Sequence, residues 1–87
     1  SRAMRIFAAA FFAKPPIGKF EEAKYYFSKA AELNPSDVRN HLWLGKTYIK
    51  LKDRRSAKKA LEACLAIEPK SDSDRLIQKE ARKLLGK

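Results

Sequence analysis

The stretch KDRRSAKKALEACLAIEP, Lys52 to Pro69, repeats at an offset of 34 residues the pattern of GKFEEAKYYFSKAAELNP, Gly18 to Pro35. Ala23 pairs with Ala57, Phe27 with Leu61, Ala30 with Cys64, Leu33 with Ile67, and the closing Pro35 with Pro69. In both stretches small and apolar residues recur three and four apart, which gathers them on one face of a helix. The proline ends each helix because it lacks an N–H and its ring clashes with the preceding turn. A period of about 34 residues is the length of a helix–turn–helix unit of the tetratricopeptide type.

Upstream of the second stretch lies HLWLGKTYIKL, His41 to Leu51, which reads as the first helix of that unit. Glycine inside a helix costs about 1 kcal/mol relative to alanine, so Gly45 asks for a packing reason. Close approach of the following helix at Ala57 supplies one, with Leu44, Tyr48 and Leu61 filling the flanks. The pattern therefore predicts an all-α fold, a tetratricopeptide-like α-α superhelix of antiparallel helix pairs with about five helices.

Their expected bounds are Arg2–Ala13, Lys19–Leu33, Asp37–Leu51, Arg54–Ile67 and Asp74–Leu85. The first is stopped by Pro15-Pro16, since the residue before a proline leaves the helical region. Ser36, Asp53, and Ser71 or Ser73 are the expected N-caps of the last three. The second helix is expected to bury Ala23, Tyr26, Phe27, Ala30 and Ala31. The fourth is expected to bury Ala57, Ala60, Leu61, Cys64 and Leu65, and the fifth Leu76, Ile77, Ala81, Leu84 and Leu85. The fifth matches the repeat only after a shift of about three residues, so it reads as a solvating cap whose polar face carries Arg75, Lys79, Glu80, Arg82 and Lys83. The whole chain is then one domain: repeat one over about 2–35, repeat two over about 36–69 and a capping helix over about 72–86.

Composition agrees with this reading. Hydrophobic residues make up 45% of the 87 residues and charged residues 34%, with three glycines and four prolines, so the chain is globular and helix-rich rather than disordered. One cysteine, Cys64, and one histidine, His41, provide neither an internal disulfide nor a zinc ligand set, and a reducing compartment is expected. The longest apolar run, Ile6 to Ala13, is far short of the roughly 20 residues of a membrane helix. Arg2 and Arg5, with no acid before Glu21, have the charge pattern of a transit peptide. The phenylalanines nevertheless read as core, because the later helices repeat them. Ser1 opens directly into a helical pattern, as in a segment excised from a longer chain.

Three stretches together resemble a known family. KPPIGKFEEAKYYFSKAAELNP (Lys14 to Pro35), NHLWLGKTYIKL (Asn40 to Leu51) and SDSDRLIQKEARKLL (Ser71 to Leu85) are similar to the C-terminal repeat domain of the regulator of microtubule dynamics family. The resemblance covers nearly the whole chain. It implies association with microtubules and spindle poles, and in some members anchoring at mitochondria or endoplasmic reticulum. A cytoplasmic, cytoskeletal location is expected from it, with any anchor outside this segment.

Net charge is +10, and its distribution matters more than its total. Between Lys46 and Lys59 stand Lys46, Lys50, Lys52, Arg54, Arg55, Lys58 and Lys59 against one acid, Asp53. Such a cluster attracts anionic partners in a salt-dependent way, and acidic tubulin tails, RNA or anionic lipid would all suit it. An ordinary solvated face is the competing reading. No aromatic residues interleave with the lysines, so nucleic acid ranks below an acidic protein. A second candidate surface is the groove side of the third helix, where Arg39, Lys46 and Lys50 share a face beside Leu42 and Ile49 and could hold an acidic, partly apolar peptide. Leu42, Trp43 and Lys46 stand where a carboxylate-clamping array would carry asparagine, which argues against a chaperone-tail clamp. Trp43 is expected to pack between repeats.

Catalysis has no visible machinery. Gly45-Lys46-Thr47 resembles the end of a phosphate loop, but Asn40 stands where its first glycine belongs and no strand precedes it. Cys64 occupies a small buried position, His41 has no acid to orient it, and Glu21-Glu22 open a helix where acids suit the dipole. The expectation is a binding module with no cofactor and no metal, acting as a monomer or a weak homo-oligomer on a protein partner. The rivals to a microtubule partner are a generic peptide-binding scaffold and a lipid-contact module.

Overall fold

The computed structural model describes residues 17–87. The expected helix over Arg2–Ala13 and its Pro15-Pro16 stop lie outside the described residues. Among the described residues there are four helices and no strand, so the fold is all-α: α1 Ile17–Leu33, α2 Val38–Lys50, α3 Arg54–Leu65 and α4 Asp72–Leu84. Helix α2 packs against all three others, and α4 packs on both α2 and α3.

Helices α2, α3 and α4 each start where a side chain takes an orphan N–H. The cap of α2 is Asp37, whose carboxylate accepts from the Arg39 amide at 3.0 Å, not the expected Ser36, whose hydroxyl donates to Asn34 Oδ1 at 3.4 Å. Asp53 caps α3 as expected, accepting from the Ser56 amide at 3.1 Å. Ser71 caps α4 and accepts from the Asp74 amide at 3.1 Å, so the helix begins two residues before its expected start. Asp72 and Asp74 in its first turn and Arg82 and Lys83 in its last complement the helix dipole.

Helices α2 and α4 end alike. The Asp53 amide reaches Tyr48 O at 2.9 Å and the Lys52 amide reaches Ile49 O at 3.0 Å, with Lys52 at φ 62°. The Lys87 amide reaches Arg82 O at 2.9 Å and the Gly86 amide Lys83 O at 3.1 Å, with Gly86 at φ 79°. Both are Schellman turns with a left-handed residue at the pivot. Caps, helix bounds and pivots of α2 and α4 therefore coincide at an offset of 34, as 37 and 71, 38–50 and 72–84, and 52 and 86 show. The three-residue shift expected for the last helix is not needed. Its backbone keeps the spacing while Lys79, Gln78 and Arg82 replace Gly45, Leu44 and Tyr48.

The Gly45 reading holds. A Cβ built there would lie 2.6 Å from Leu61 Cδ2, 2.7 Å from Leu61 Cγ and 3.6 Å from the Ala57 carbonyl oxygen, so bare backbone is what lets α3 dock on α2. Around this contact Val38, Leu42, Leu61, Cys64 and Ala81 form one buried cluster, with Leu65, Ile67, Ile77 and Leu85 against it. Ala23 and Phe27 of α1 form a second, covered by Trp43 and Leu44 of α2. Tyr26, expected inside, is 45% exposed, and Leu76 and Leu84 are 67% and 41% exposed.

Two buried amides were not foreseen. Gln78 Nε2 donates to the carbonyls of Cys64 at 2.9 Å and Ile67 at 2.7 Å, closing the end of α3. Asn40 Nδ2 donates to the Ala30 carbonyl at 3.3 Å, near the end of α1. With Gln78 holding those carbonyls, and the Ala66 amide shared between Glu62 and Ala63, α3 stops at Leu65 instead of running on to Ile67.

Candidate interaction surface

The turn that joins α2 to α3 presents cations because its one acid is already engaged. Hydrogen bonding from Ser56, then the nearby Lys24 and Arg55, hold the Asp53 carboxyl below its usual range, so it stays ionised as a cap. Around it Lys50, Lys52, Arg54, Arg55, Lys58 and Lys59 are all exposed. None of the six forms an ion pair among the described residues. Helix spacing puts Arg55 and Lys59 on the outer side of α3, opposite Ala57, Ala60 and Leu61, while Arg54 and Lys58 flank the Ala57 and Leu61 face.

The other sequence-predicted contact residues part company. Leu42 is 3% exposed and belongs to the core, which removes it from any open groove. Arg39 is exposed but forked onto Asp37, with Nε to Oδ1 at 3.1 Å and Nη2 to Oδ2 at 2.9 Å. That bond is the main reason the Asp37 carboxyl lies below its ordinary range. Arg39 also lines a small polar cleft of about 380 Å³ with Asp37, Lys70 and Asp74, where acids offset cations. Lys46 is partly buried, with Nζ 2.8 Å from Glu80 Oε2 on α4 and 4.6 Å from the Trp43 ring centre. Trp43 in turn stacks on Phe27 of α1 at 6.3 Å and 19°, which is the packing role expected of it. A ladder from α1 through α2 to α4 thus absorbs Lys46, and its ammonium serves the scaffold.

Only Ile49, 40% exposed, stays beside the cations. It opens a groove of about 870 Å³ whose floor continues over Ala57, Leu61, Leu84 and Leu85. Lys52, Arg54, Lys58 and Lys87 stand around it. Leu84 and Lys87 were missed as contact residues because the groove exists only where the end of α4 meets the start of α3. Burial pushes the Cys64 thiol up to about 11, so it is an undissociated packing group at neutral pH. His41 Nε2 lies 2.9 Å from the Pro35 carbonyl oxygen, holding the turn between α1 and α2. No described helix is long and apolar enough to cross a membrane.

Residues 1–87 match the family model described as regulator of microtubule dynamics protein 1-3. The chain is 40% identical over 82 residues to regulator of microtubule dynamics protein 1 of Mus musculus, covering 93% of this chain and 27% of the relative. It is 37% identical over 82 residues to the Homo sapiens protein 1, covering 93% and 26%. To the Homo sapiens protein 2 it is 33% identical over 79 residues, covering 90% and 19%. The chain thus spans about a quarter or less of the length of these relatives. No solved structure matches it.

Proposed function

The chain belongs to the regulator of microtubule dynamics protein 1-3 family, and from that premise we propose that it is a non-catalytic protein-interaction module that associates with microtubules through its basic surface. The contact is electrostatic. Lys50, Lys52, Arg54, Arg55, Lys58 and Lys59 meet acidic segments of the filament, and the domain works at the cytoskeleton in the cytoplasm. The relatives, regulators of microtubule dynamics by name, supply the microtubule connection. The observation that carries the mechanism is a ridge of six exposed cations whose only acid, Asp53, is committed to capping α3.

The scaffold in this reading is of tetratricopeptide type. The common offset of caps, bounds and pivots in α2 and α4 supports it, as does the Gly45 contact with α3. Exposed charge pairs weaken steeply with salt, because the Debye length falls from about 30 Å at 0.01 M to about 10 Å at 0.1 M.

Cosedimentation with microtubules tests the proposal. The variant with Lys52, Arg54, Arg55, Lys58 and Lys59 all changed to glutamine should lose most of its pelleting, and the unaltered chain should lose it as salt rises. Pelleting that ignores both changes would overturn the electrostatic mechanism.

A further inference from the structure

We propose that the groove between the start of α3 and the end of α4 binds an acidic segment of a partner protein that also carries large apolar side chains. The inference rests on the basic-surface reading above, since Lys52, Arg54 and Lys58 belong to both, and it adds that charge alone does not define the partner. Two observations select this occupant. The floor is apolar and open, with Ile49 40% and Leu84 41% exposed at its two sides and Leu61 beneath. The rim is cationic, with no acid among the lining residues. Asp53, between Lys52 and Arg54, is committed to capping α3, and Glu62 stands 4.0 Å from Lys87 Nζ at the far end, so neither forms an ion pair with the three cations of α3 and its turn.

The chemistry excludes other occupants in turn. A purely acidic tail would leave Ile49 and Leu84 in water and gain nothing from the floor. A purely apolar segment would bury cations without a counter-charge. Single-stranded nucleic acid binds on aromatic stacking platforms, and no aromatic side chain lines the groove. A volume of about 870 Å³ lies within the range of about 300–1,000 Å³ typical of concave sites, which admits a few side chains set against the floor with carboxylates at Lys52, Arg54 and Lys58.

The test is fluorescence anisotropy of three labelled peptides titrated with the 87-residue chain. The first is a short glutamate-rich peptide with leucines spaced three and four apart, the second has those leucines changed to alanine, and the third has its glutamates changed to glutamine. The first should bind in a salt-sensitive manner, and each of the other two should bind at least about tenfold more weakly, as expected for withdrawing one buried leucine or its charge partners. Leu84→Ser and, separately, Ile49→Ser should each weaken the first peptide and leave the second unchanged. Both positions are well exposed, and a far-ultraviolet circular dichroism spectrum checks that each variant is folded.

Equal binding of the leucine and alanine peptides would overturn the groove while leaving microtubule pelleting by the ridge intact. So would phosphatidylserine vesicles that displace the leucine peptide and bind in a manner sensitive to Leu84→Ser, since the occupant would then be a membrane. Peptide binding by a chain that does not pellet with microtubules would sink the microtubule reading and leave the groove standing.

Discussion

At Lys52 a lysine stands in the left-handed region, φ 62°, where the matching turn of α4 uses Gly86 at φ 79°. A side chain in that region costs about 1–2 kcal/mol, part of which glycine returns through its own larger loss of freedom on folding. Lys52→Gly should therefore raise stability by about 0.5–1 kcal/mol in chemical denaturation while weakening the binding of an acidic peptide. A variant that is more stable and binds less would show that the turn tolerates strain to keep a cation at the mouth of the groove. Gly45 makes the opposite case. Alanine there would gain up to about 1 kcal/mol of helix propensity, but its methyl would fall inside contact distance of the buried Leu61 side chain. Overpacking typically costs about 1–3 kcal/mol, so Gly45→Ala should lower stability by roughly 1 kcal/mol on balance, read as a lower denaturation midpoint with an unchanged slope.

Among the elements, α4 separates what a sequence displays from what it hides. Its existence is legible from its caps and amphipathic charges, as is the packing of Ile77, Ala81 and Leu85, but the rest of its burial is not. Leu76 looks like core and is 67% exposed, while the polar Gln78 is 5% exposed and holds two carbonyls at the end of α3. The hydrophobic pattern cannot report this, because Gln78 is buried by the unpaired carbonyls of a different helix and not by its own apolarity. Gln78→Leu leaves those carbonyls without a donor and should cost about 1–3 kcal/mol. Leu76→Ser should stay within about 0.5 kcal/mol, as exposed substitutions do. Thermal melts of the two variants check the ranking, and a larger loss at Leu76 would contradict the packing of α4. Register was hidden for a related reason. The caps Asp37 and Ser71 and the pivots Lys52 and Gly86 set it, whereas the side chains between them have diverged.

Over the whole molecule, α2 is the element on which the other three rest, and the surface follows from that arrangement. The basic run was legible because exposed charge needs no partner to be seen. Its division was not, because the contact of Lys46 with Glu80 and the burial of Leu42 arise only when α4 comes down on α2. Sequence reasoning therefore joined Arg39, Leu42, Lys46, Ile49 and Lys50 into one face. In the fold Arg39 is neutralised by Asp37, Leu42 is core and Lys46 is scaffold, so only Ile49 and Lys50 remain beside the ridge.

Trp43 is the single indole of this chain, and it sits where α1, α2 and α4 exchange contacts, with Phe27 on one side and the Lys46 ammonium on another. Its emission is thus an intrinsic gauge of both seams at once. Parting α1 from α2 would let water reach the ring and redden the spectrum, while freeing Lys46 from Glu80 would alter the quenching by the neighbouring charge. Opening at either seam could then be followed in solution without any added dye.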